Sequence, residues 1–174
     1  MRIIAGAWKG RRIAAPAGGH VRPTADRVRE AWMSIVQPAL PGARVLDLCA
    51  GSGALGLEAL SRGAQFVDFV EHDPRSLRTL RENVALLGAE AQSAVHRDDA
   101  IAFASRERAA GVAPHDVAFA DPPYRLGLAK TLAERWLAAP FAAIFGVEHE
   151  AKETLPEGGD TRRYGDTAIT IYRA

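Results

Sequence analysis

The fold is decided by one stretch, VLDLCAGSGALG at residues 45–56. Its first four residues predict a short buried strand, its glycines predict a tight turn, and its last residues predict the start of a helix. Glycines in such a turn let the backbone approach a ligand because no Cβ stands in the way. The Gly-x-Gly-x-x-Gly spacing of Gly51, Gly53 and Gly56 therefore predicts a ligand at this turn, although it fits nicotinamide and flavin enzymes equally well.

From residue 43 onward the chain alternates strands with helices. The predicted strands are Val45–Leu48, Gln65–Val70, Ser93–His96, Val117–Ala120 and Ala142–Val147, and the last two segments, Thr161–Tyr164 and Thr167–Tyr172, pair across Gly165-Asp166. Short strands in such alternation favour a mostly parallel sheet covered by helices on both faces. We therefore expect an α/β fold in which a C-terminal hairpin adds an antiparallel edge.

The N-terminal segment is basic. Residues 1–44 carry a net charge of +6 and the remaining residues −5. Residues 2–7 and 11–15 predict a hairpin, and Thr24 predicts the N-cap of a helix that runs to about Val36. Such asymmetry indicates a localised polyanion contact, although the arginines could equally solvate an ordinary surface. We assign residues 1–40 to a basic extension and residues 41–174 to the main domain, with these candidate phosphate contacts: Arg2, Lys9, Arg11, Arg12, Arg22 and Arg27.

Acidic residues occur at the ends of predicted strands. Asp47 lies inside the first strand, where its carboxylate can accept from a ligand amine or hydroxyl, and Glu71 follows the second strand. A carboxylate at that second strand end can bind both ribose hydroxyls. Glu71 therefore indicates a nucleoside ligand without deciding which cofactor carries it.

The tetrad Asp121-Pro122-Pro123-Tyr124 follows the fourth strand directly. Ligands of open α/β sheets bind beyond the carboxyl ends of the strands, so the tetrad is expected beside Gly51 and Glu71. The exocyclic amine of a base is a poor nucleophile because its lone pair is delocalised into the ring. Acceptors on its N–H bonds, here the Asp121 carboxylate and the Pro122 carbonyl, would orient that lone pair, and Tyr124 could stack on the base.

Other residues have quieter interpretations. Cys49 is the one cysteine, which excludes an internal disulfide framework, and we expect it to be a small buried residue. The three residues His20, His96 and His115 lack metal-ligand spacing, are expected at the surface, and give no reason to expect a metal. Trp32 fits a helical core position. No apolar run reaches the roughly 20 residues that span a bilayer, so a cytoplasmic protein is expected.

With both motifs placed, the chain resembles the bacterial small-subunit rRNA guanine-N2 methyltransferase family over nearly its whole length. The residues that carry this resemblance are RIIAG (2–6), WKGRR (8–12), RPT (22–24), DRVRE (26–30), AGSGALG (50–56), DPPY (121–124), Glu148-His149 and RYGDT (163–167). The resemblance implies a seven-stranded Rossmann-like sheet and the cofactor S-adenosylmethionine. It also implies cofactor contacts at Thr24, Asp47, Ala50, Gly51, Ser52, Gly53, Glu71, His72, Asp99 and Ala100, with either Asp98 or Asp99 near the adenine amine.

The function expected from these observations is methyl transfer to N2 of a guanosine in 16S rRNA, with S-adenosylhomocysteine as the second product. The catalytic residues would be Asp121, Pro122, Pro123 and Tyr124. The substrate would be a 30S subunit or assembly intermediate, acted on by a monomer. Alternatives are an adenine-N6 methyltransferase on DNA or RNA, a nicotinamide oxidoreductase, and a non-catalytic RNA-binding assembly factor.

Overall fold

A seven-stranded sheet organises the chain in the computed structural model, which describes residues 1–15, 23–109 and 115–174. Its strands are β1 Arg44–Leu48, β2 Phe66–Glu71, β3 Ser93–Arg97, β4 His115–Ala120, β5 Ala142–Glu150, β6 Asp160–Tyr164 and β7 Thr167–Arg173. They are ordered β3-β2-β1-β4-β5-β7-β6. The first five are parallel, and β7 is antiparallel to both of its neighbours. The predicted Rossmann-like sheet with an antiparallel C-terminal hairpin is confirmed.

Helices cover both faces of the sheet, as predicted. They are α1 Pro23–Val36, α2 Ala54–Ser61, α3 Pro74–Leu87, α4 Ala100–Ala109 and α5 Leu128–Ala138. Trp32 of α1, Leu57 of α2 and Leu80 of α3 belong to one hydrophobic cluster, and Phe103 of α4 and Trp136 of α5 belong to the other. No helix within the described ranges is long and apolar enough to cross a membrane.

Three boundaries bear on the site. Asp73 caps α3 by accepting from Ser76 N at 2.8 Å, with Pro74 at the first helical position, as the sequence predicted. Helix α1 begins at Pro23, so Thr24 lies inside its first turn, and the prediction that Thr24 is the N-cap is wrong. Strand β5 continues past Val147 to Glu150 because β7 pairs with it along this whole length.

The N-terminal segment closes on itself through hydrogen bonds from Ile3 N to Arg11 O and from Gly10 N to Ile3 O, although regular pairing is limited to the bridge between Arg2 and Arg12. The buried carboxylate of Glu58 on α2 binds the segment by accepting from Ile4 N and Ala5 N. Ile3 and Ile13 join the same hydrophobic cluster as α1 to α3. Residues 1–15 therefore pack on the main core, while their assignment to RNA contact stays a prediction.

Candidate active site

Two adjoining cavities lie beyond the carboxyl ends of the parallel strands, where this topology places ligands. The larger cavity, of about 460 Å³, and the smaller cavity, of about 300 Å³, share Cys49, Gly51 and Asp121 in their walls. Of the predicted site residues, the larger cavity collects Gly51, Glu71, His72, Asp99, Ala100, Asp121, Pro122, Pro123 and Tyr124. The smaller cavity collects Asp47, Ala50, Gly51, Ser52 and Asp121. Both predicted motifs therefore meet at one edge of the sheet.

The three glycines of the turn have different reasons to be glycine. A Cβ on Gly51, whose φ is +56°, would meet nothing within 4 Å and would project into open space. A Cβ on Gly53 would lie 2.5 Å from Leu80 Cδ1, and one on Gly56 would lie 2.3 Å from Phe69 Cε1. Only Gly51 of these three lines a cavity. Gly53 packs closely against Leu80, and its cofactor contact stays a prediction.

Glu71 supports the turn from the neighbouring strand. Its side chain is buried, and its carboxylate accepts from Gly51 N, His72 N and Asp73 N, each at 2.8 Å. One oxygen takes Gly51 and the other takes the remaining two, which leaves a lone pair on the first oxygen. Glu71 therefore fixes the position of Gly51 while still facing the larger cavity.

Asp47 lies beneath the same turn and is 2 % exposed. Burial raises the pKa of its carboxyl to about 7; the hydrogen bond from Gly56 N opposes this shift, and the negative charge of Glu71 adds to it. Asp47 lines the smaller cavity. An acid whose pKa lies close to neutral pH is therefore placed directly beneath the ligand turn.

The two aspartates after β3 have different surroundings. Asp99 lines the larger cavity beside Ala100 and accepts from Ala102 N at 2.8 Å. Asp98 instead forms an ion pair with Arg106 and accepts from Asp99 N. Asp99 is therefore the acid that faces the cavity.

The tetrad begins where β4 ends. Asp121 is exposed to both cavities, Pro122 is buried, and Tyr124 is 36 % exposed. Desolvation by the surrounding walls, followed by the negative charges of Glu148 and Asp47, raises the pKa of Asp121 well above its usual value. No side chain in the described part of the chain forms a hydrogen bond or ion pair with the Asp121 carboxylate, which is therefore available to a ligand.

Three residues of the smaller cavity were missed as site residues: Glu148, Trp32 and Arg29. The Tyr124 hydroxyl donates to Glu148 Oε1 at 3.0 Å, and Trp32 Nε1 donates to Glu148 Oε2 at 3.4 Å. Trp32 was expected only to pack, and Glu148 was quoted within the resemblance without a role. A lone glutamate on a strand carries no local pattern, so only the neighbouring strands reveal its position.

Arg29 is a buried cation at the same place, with 6 % exposure. Its Nη2 donates to Arg2 O at 2.6 Å and to Asp26 Oδ1 at 3.1 Å. Its Nε is buried, lies 4.0 Å from Glu58 Oε2, and has no hydrogen-bond acceptor among the residues described. The smaller cavity therefore has a guanidinium in its wall.

Two predictions about side-chain environment were wrong. Cys49 is half-buried in the walls of both cavities rather than fully buried, with a φ of +60°. Burial, followed by the charges of Glu71 and Asp47, raises the pKa of its thiol to about 12. His115 was expected at the surface but is 1 % exposed, and its Nε2 lies 2.8 Å from Asp68 Oδ2.

The predicted phosphate contacts that the structure describes lie outside the two cavities. Those on the described surface are exposed: Arg2, Lys9, Arg11, Arg12 and Arg27. Arg11 donates to Leu86 O at 2.7 Å, which fixes its side chain against α3. Arg22 lies outside the described residues, and so does the side chain of Thr24.

A family model with the description conserved hypothetical protein 95 matches residues 1–173. The chain is 40% identical over 161 residues to the ribosomal RNA small subunit methyltransferase D of Escherichia coli K12, with 90% of this chain and 78% of the relative covered. It is 36% identical over 181 residues to the Haemophilus influenzae enzyme of the same name, covering 99% of this chain and 92% of the relative.

Solved structures share the architecture. A hypothetical protein of Thermus thermophilus superposes with a TM-score of 0.87 at 33% identity, covering 100% of this chain and 99% of that chain. The fold also matches the 16S rRNA N2 G1207 methyltransferase of the same organism, described in complex with AdoMet and guanosine. That match has a TM-score of 0.68 at 22% identity and covers 90% of this chain and 44% of that one.

Proposed function

The chain belongs to the conserved hypothetical protein 95 family, and from that premise we propose that it transfers a methyl group from S-adenosylmethionine to N2 of a guanosine in 16S rRNA. One observation carries this proposal. The carboxylate of Asp121, without a partner in the described structure, lies in the shared wall of two cavities, beside the ligand turn at Gly51. Donor and base can therefore meet at Asp121.

The residues present fit S-adenosylmethionine better than a dinucleotide. The larger cavity is lined by four acids, Glu71, Asp73, Asp99 and Asp121, and by no lysine or arginine of the described chain. Such a wall repels a pyrophosphate and favours a cationic ligand. The expected holding residues are Glu71 for the ribose, Asp99 for the adenine amine, and Asp47, Ser52 and Ala50 near the turn.

The reaction needs little from the protein beyond placement. S-adenosylmethionine supplies a methyl group already activated on a sulfonium. The Asp121 carboxylate and the Pro122 carbonyl accept hydrogen bonds from the two N–H groups of the target amine. The lone pair of the amine then points out of the ring plane. Tyr124 holds the base by its ring, because its hydroxyl is already fixed to Glu148 and to Thr167. A proton leaves the methylated nitrogen to Asp121 or to water.

The target base has to leave its stack to enter this site. We propose that the exposed basic residues of the N-terminal extension hold the surrounding RNA by its phosphates, with Arg22 and the described residues Arg2, Lys9, Arg11, Arg12 and Arg27 as contacts. RNA affinity should then fall steeply with salt, and replacing Lys9, Arg11 and Arg12 by alanine should flatten the log–log slope by about two to three units. A salt-independent affinity would contradict this assignment.

The test uses 30S subunits and deproteinised 16S rRNA from cells that lack this protein. Each is incubated with the purified protein, which we propose acts as a monomer, and with methyl-labelled S-adenosylmethionine. The RNA is then digested to nucleosides. We expect label in N2-methylguanosine at one nucleotide, with 30S or an assembly intermediate preferred over free RNA. Label in N6-methyladenosine would refute the base assignment. Absence of label, with an Asp121→Ala protein still complementing the cells, would indicate an assembly factor.

A further inference from the structure

We propose that Glu148 selects guanine over adenine by accepting the N1–H of the base whose amine Asp121 holds. This inference rests on the proposed function and deepens it, because it assigns a specificity residue to the same site. The carboxylate of Glu148 lines the smaller cavity together with Asp121, Trp32 and Gly51. It lies on β5, the strand next to β4, whose end carries Asp121.

The two bases differ at the ring atom beside the reactive amine. In guanine the atom next to the reactive amine is N1, which carries a hydrogen and donates. In adenine the atom next to the reactive amine is also N1, but it is bare and accepts. A flipped base is identified by hydrogen bonds along this edge. An acceptor beside Asp121 therefore favours guanine, and a donor there would favour adenine.

The structure presents an acceptor at this position. Two donors of the neighbourhood point at Glu148: Tyr124 donates to Oε1 at 3.0 Å and Trp32 donates to Oε2 at 3.4 Å. Thr167 Oγ1 lies 2.9 Å from the Tyr124 hydroxyl and can donate to it, since that hydroxyl donates its own hydrogen to Glu148. Each oxygen of Glu148 thus keeps a free lone pair, and the neighbouring hydroxyl and indole have no hydrogen left for the base.

The fixed donors also hold the carboxylate in place. Trp32 is fully buried on α1 and packs edge-on against Phe119 at a centroid distance of 5.3 Å, so its indole N–H has little freedom. No cation of the described chain pairs with Glu148. Its free lone pairs are therefore available to a donor from a ligand. Guanine offers two adjacent donors on one edge, one for Glu148 and one for Asp121.

The experiment separates recognition of N1–H from recognition of the amine. Once the methylated nucleotide has been mapped, 16S rRNA is assembled by splinted ligation with either guanosine or 2-aminopurine at that nucleotide and is reconstituted into 30S particles. 2-Aminopurine keeps the amine at the same ring position but has a bare N1. Single-turnover methylation is measured for the wild type, Glu148→Gln and the matched control Glu150→Gln, which lies two residues further along β5 outside both cavities.

The wild type should methylate guanosine at least about tenfold faster than 2-aminopurine, because a hydrogen bond to a charged group is lost. Glu148→Gln should lose at least about tenfold on guanosine and stay within about threefold of the wild type on 2-aminopurine. Glu150→Gln should behave as the wild type. The same loss on both bases would mean that Glu148 has only a structural role, and it would overturn the inference.

Two further outcomes separate the inference from its premise. A wild-type enzyme that methylates guanosine and 2-aminopurine equally fast would overturn the inference and leave the proposed function intact. A wild-type enzyme that forms no N2-methylguanosine on any particle would overturn the proposed function, and the role of Glu148 with it.

Discussion

The two ends of the sheet hold buried or recessed acids in opposite ways. At the amino end, Asp68 on β2 is bound by His115 at 2.8 Å, His96 at 2.9 Å and Arg44 at 3.4 Å. At the carboxyl end, Asp121 and Glu148 line the same cavity, and no cation of the described chain forms an ion pair with either of them. The difference indicates which acids stabilise the fold and which are kept for a ligand.

The pKa directions follow the same division. Burial alone would raise the pKa of Asp68, but hydrogen bonds from His115 and His96 lower it below its usual value. Desolvation by the cavity walls raises the pKa of Asp121 and of Glu148, and the negative charge of Glu148 raises that of Asp121 further. Acids with raised pKa values and no cationic partner are typical of functional sites, whereas an acid that is fully hydrogen-bonded is typical of a group that stabilises the fold.

Replacing Asp121 should affect chemistry and spare the fold. Asp121→Ala should lower the single-turnover rate of methyl transfer by between about a hundredfold and a thousandfold, because one orienting acceptor of the amine is lost. Its melting temperature should stay the same or rise, since an uncompensated charge is removed. The control Asp116→Ala changes an acid at the other end of the same strand and should keep nearly the full rate. A fast Asp121→Ala enzyme would break the contrast.

Replacing Asp68 should do the reverse. Asp68→Ala leaves His115 buried without its carboxylate partner and should lower the free energy of unfolding by about 3 kcal/mol, measured by urea denaturation. The enzyme that remains folded should transfer methyl groups within about threefold of the wild-type rate. Glu82→Ala, an exposed acid on α3, serves as the control and should change stability by less than about 0.5 kcal/mol. An unchanged free energy of unfolding in Asp68→Ala would show that the contacts between Asp68 and the histidines do not stabilise the fold.

The two ends should also respond to pH in different windows. The raised pKa of Asp47, about 7, means that the folded state takes up a proton that the unfolded state lacks between about pH 4 and pH 7. Stability therefore falls as the pH rises through this window. The lowered pKa of Asp68 means that its contribution is present above about pH 4 and is lost as the pH falls below its usual value and through its folded pKa.

Asp47→Asn tests the first window. It keeps an oxygen for Gly56 N, and its stabilising effect should be about 3 kcal/mol larger at pH 7 than at pH 4.5. Thermal unfolding at the two pH values measures this difference, with Asp68→Asn as the partner variant, which should lower stability at both. Equal effects of Asp47→Asn at the two pH values would contradict the raised pKa.

Replacing Cys49 should have the smallest effect on the rate of methyl transfer. Because the pKa of its thiol is about 12, almost no thiolate exists at neutral pH, and the side chain offers no nucleophile. Cys49→Gly, which suits a φ of +60°, should methylate RNA within about threefold of the wild-type rate. Iodoacetamide should modify the wild type slowly at pH 8. Rapid modification with complete loss of activity, not reproduced by Cys49→Gly, would reveal a reactive thiol.

Sequence reasoning found the parts of this contrast that have local patterns. The strand–turn–helix around Gly51, the capped start of α3 and the tetrad after β4 all follow from neighbouring residues, so their position at one sheet edge was predictable. The two acids that the sequence left undecided after β3 needed the structure, because only the ion pair to Arg106 separates Asp98 from Asp99.

The missed residues depend on contacts between distant strands. Glu148 joins the site because β5 is extended by pairing with β7, and its donors come from residues 24 and 116 positions away. His115 is buried because Asp68 lies 47 positions away along the chain. Gly53 satisfies the glycine motif, yet Leu80 occupies the space beside it. Such relations exist only in the folded sheet, and one sequence contains no local sign of them.

The most direct measurement of the contrast is the titration of individual carboxyl groups by ¹³C nuclear magnetic resonance of the ligand-free protein. Signals are assigned with Asp121→Asn, Glu148→Gln and Asp68→Asn. Asp121 and Glu148 should titrate above their usual pKa values, and Asp68 should titrate below its own. An Asp121 that titrates at or below the usual value for aspartate would contradict the claim that this edge of the sheet holds its acids for a ligand.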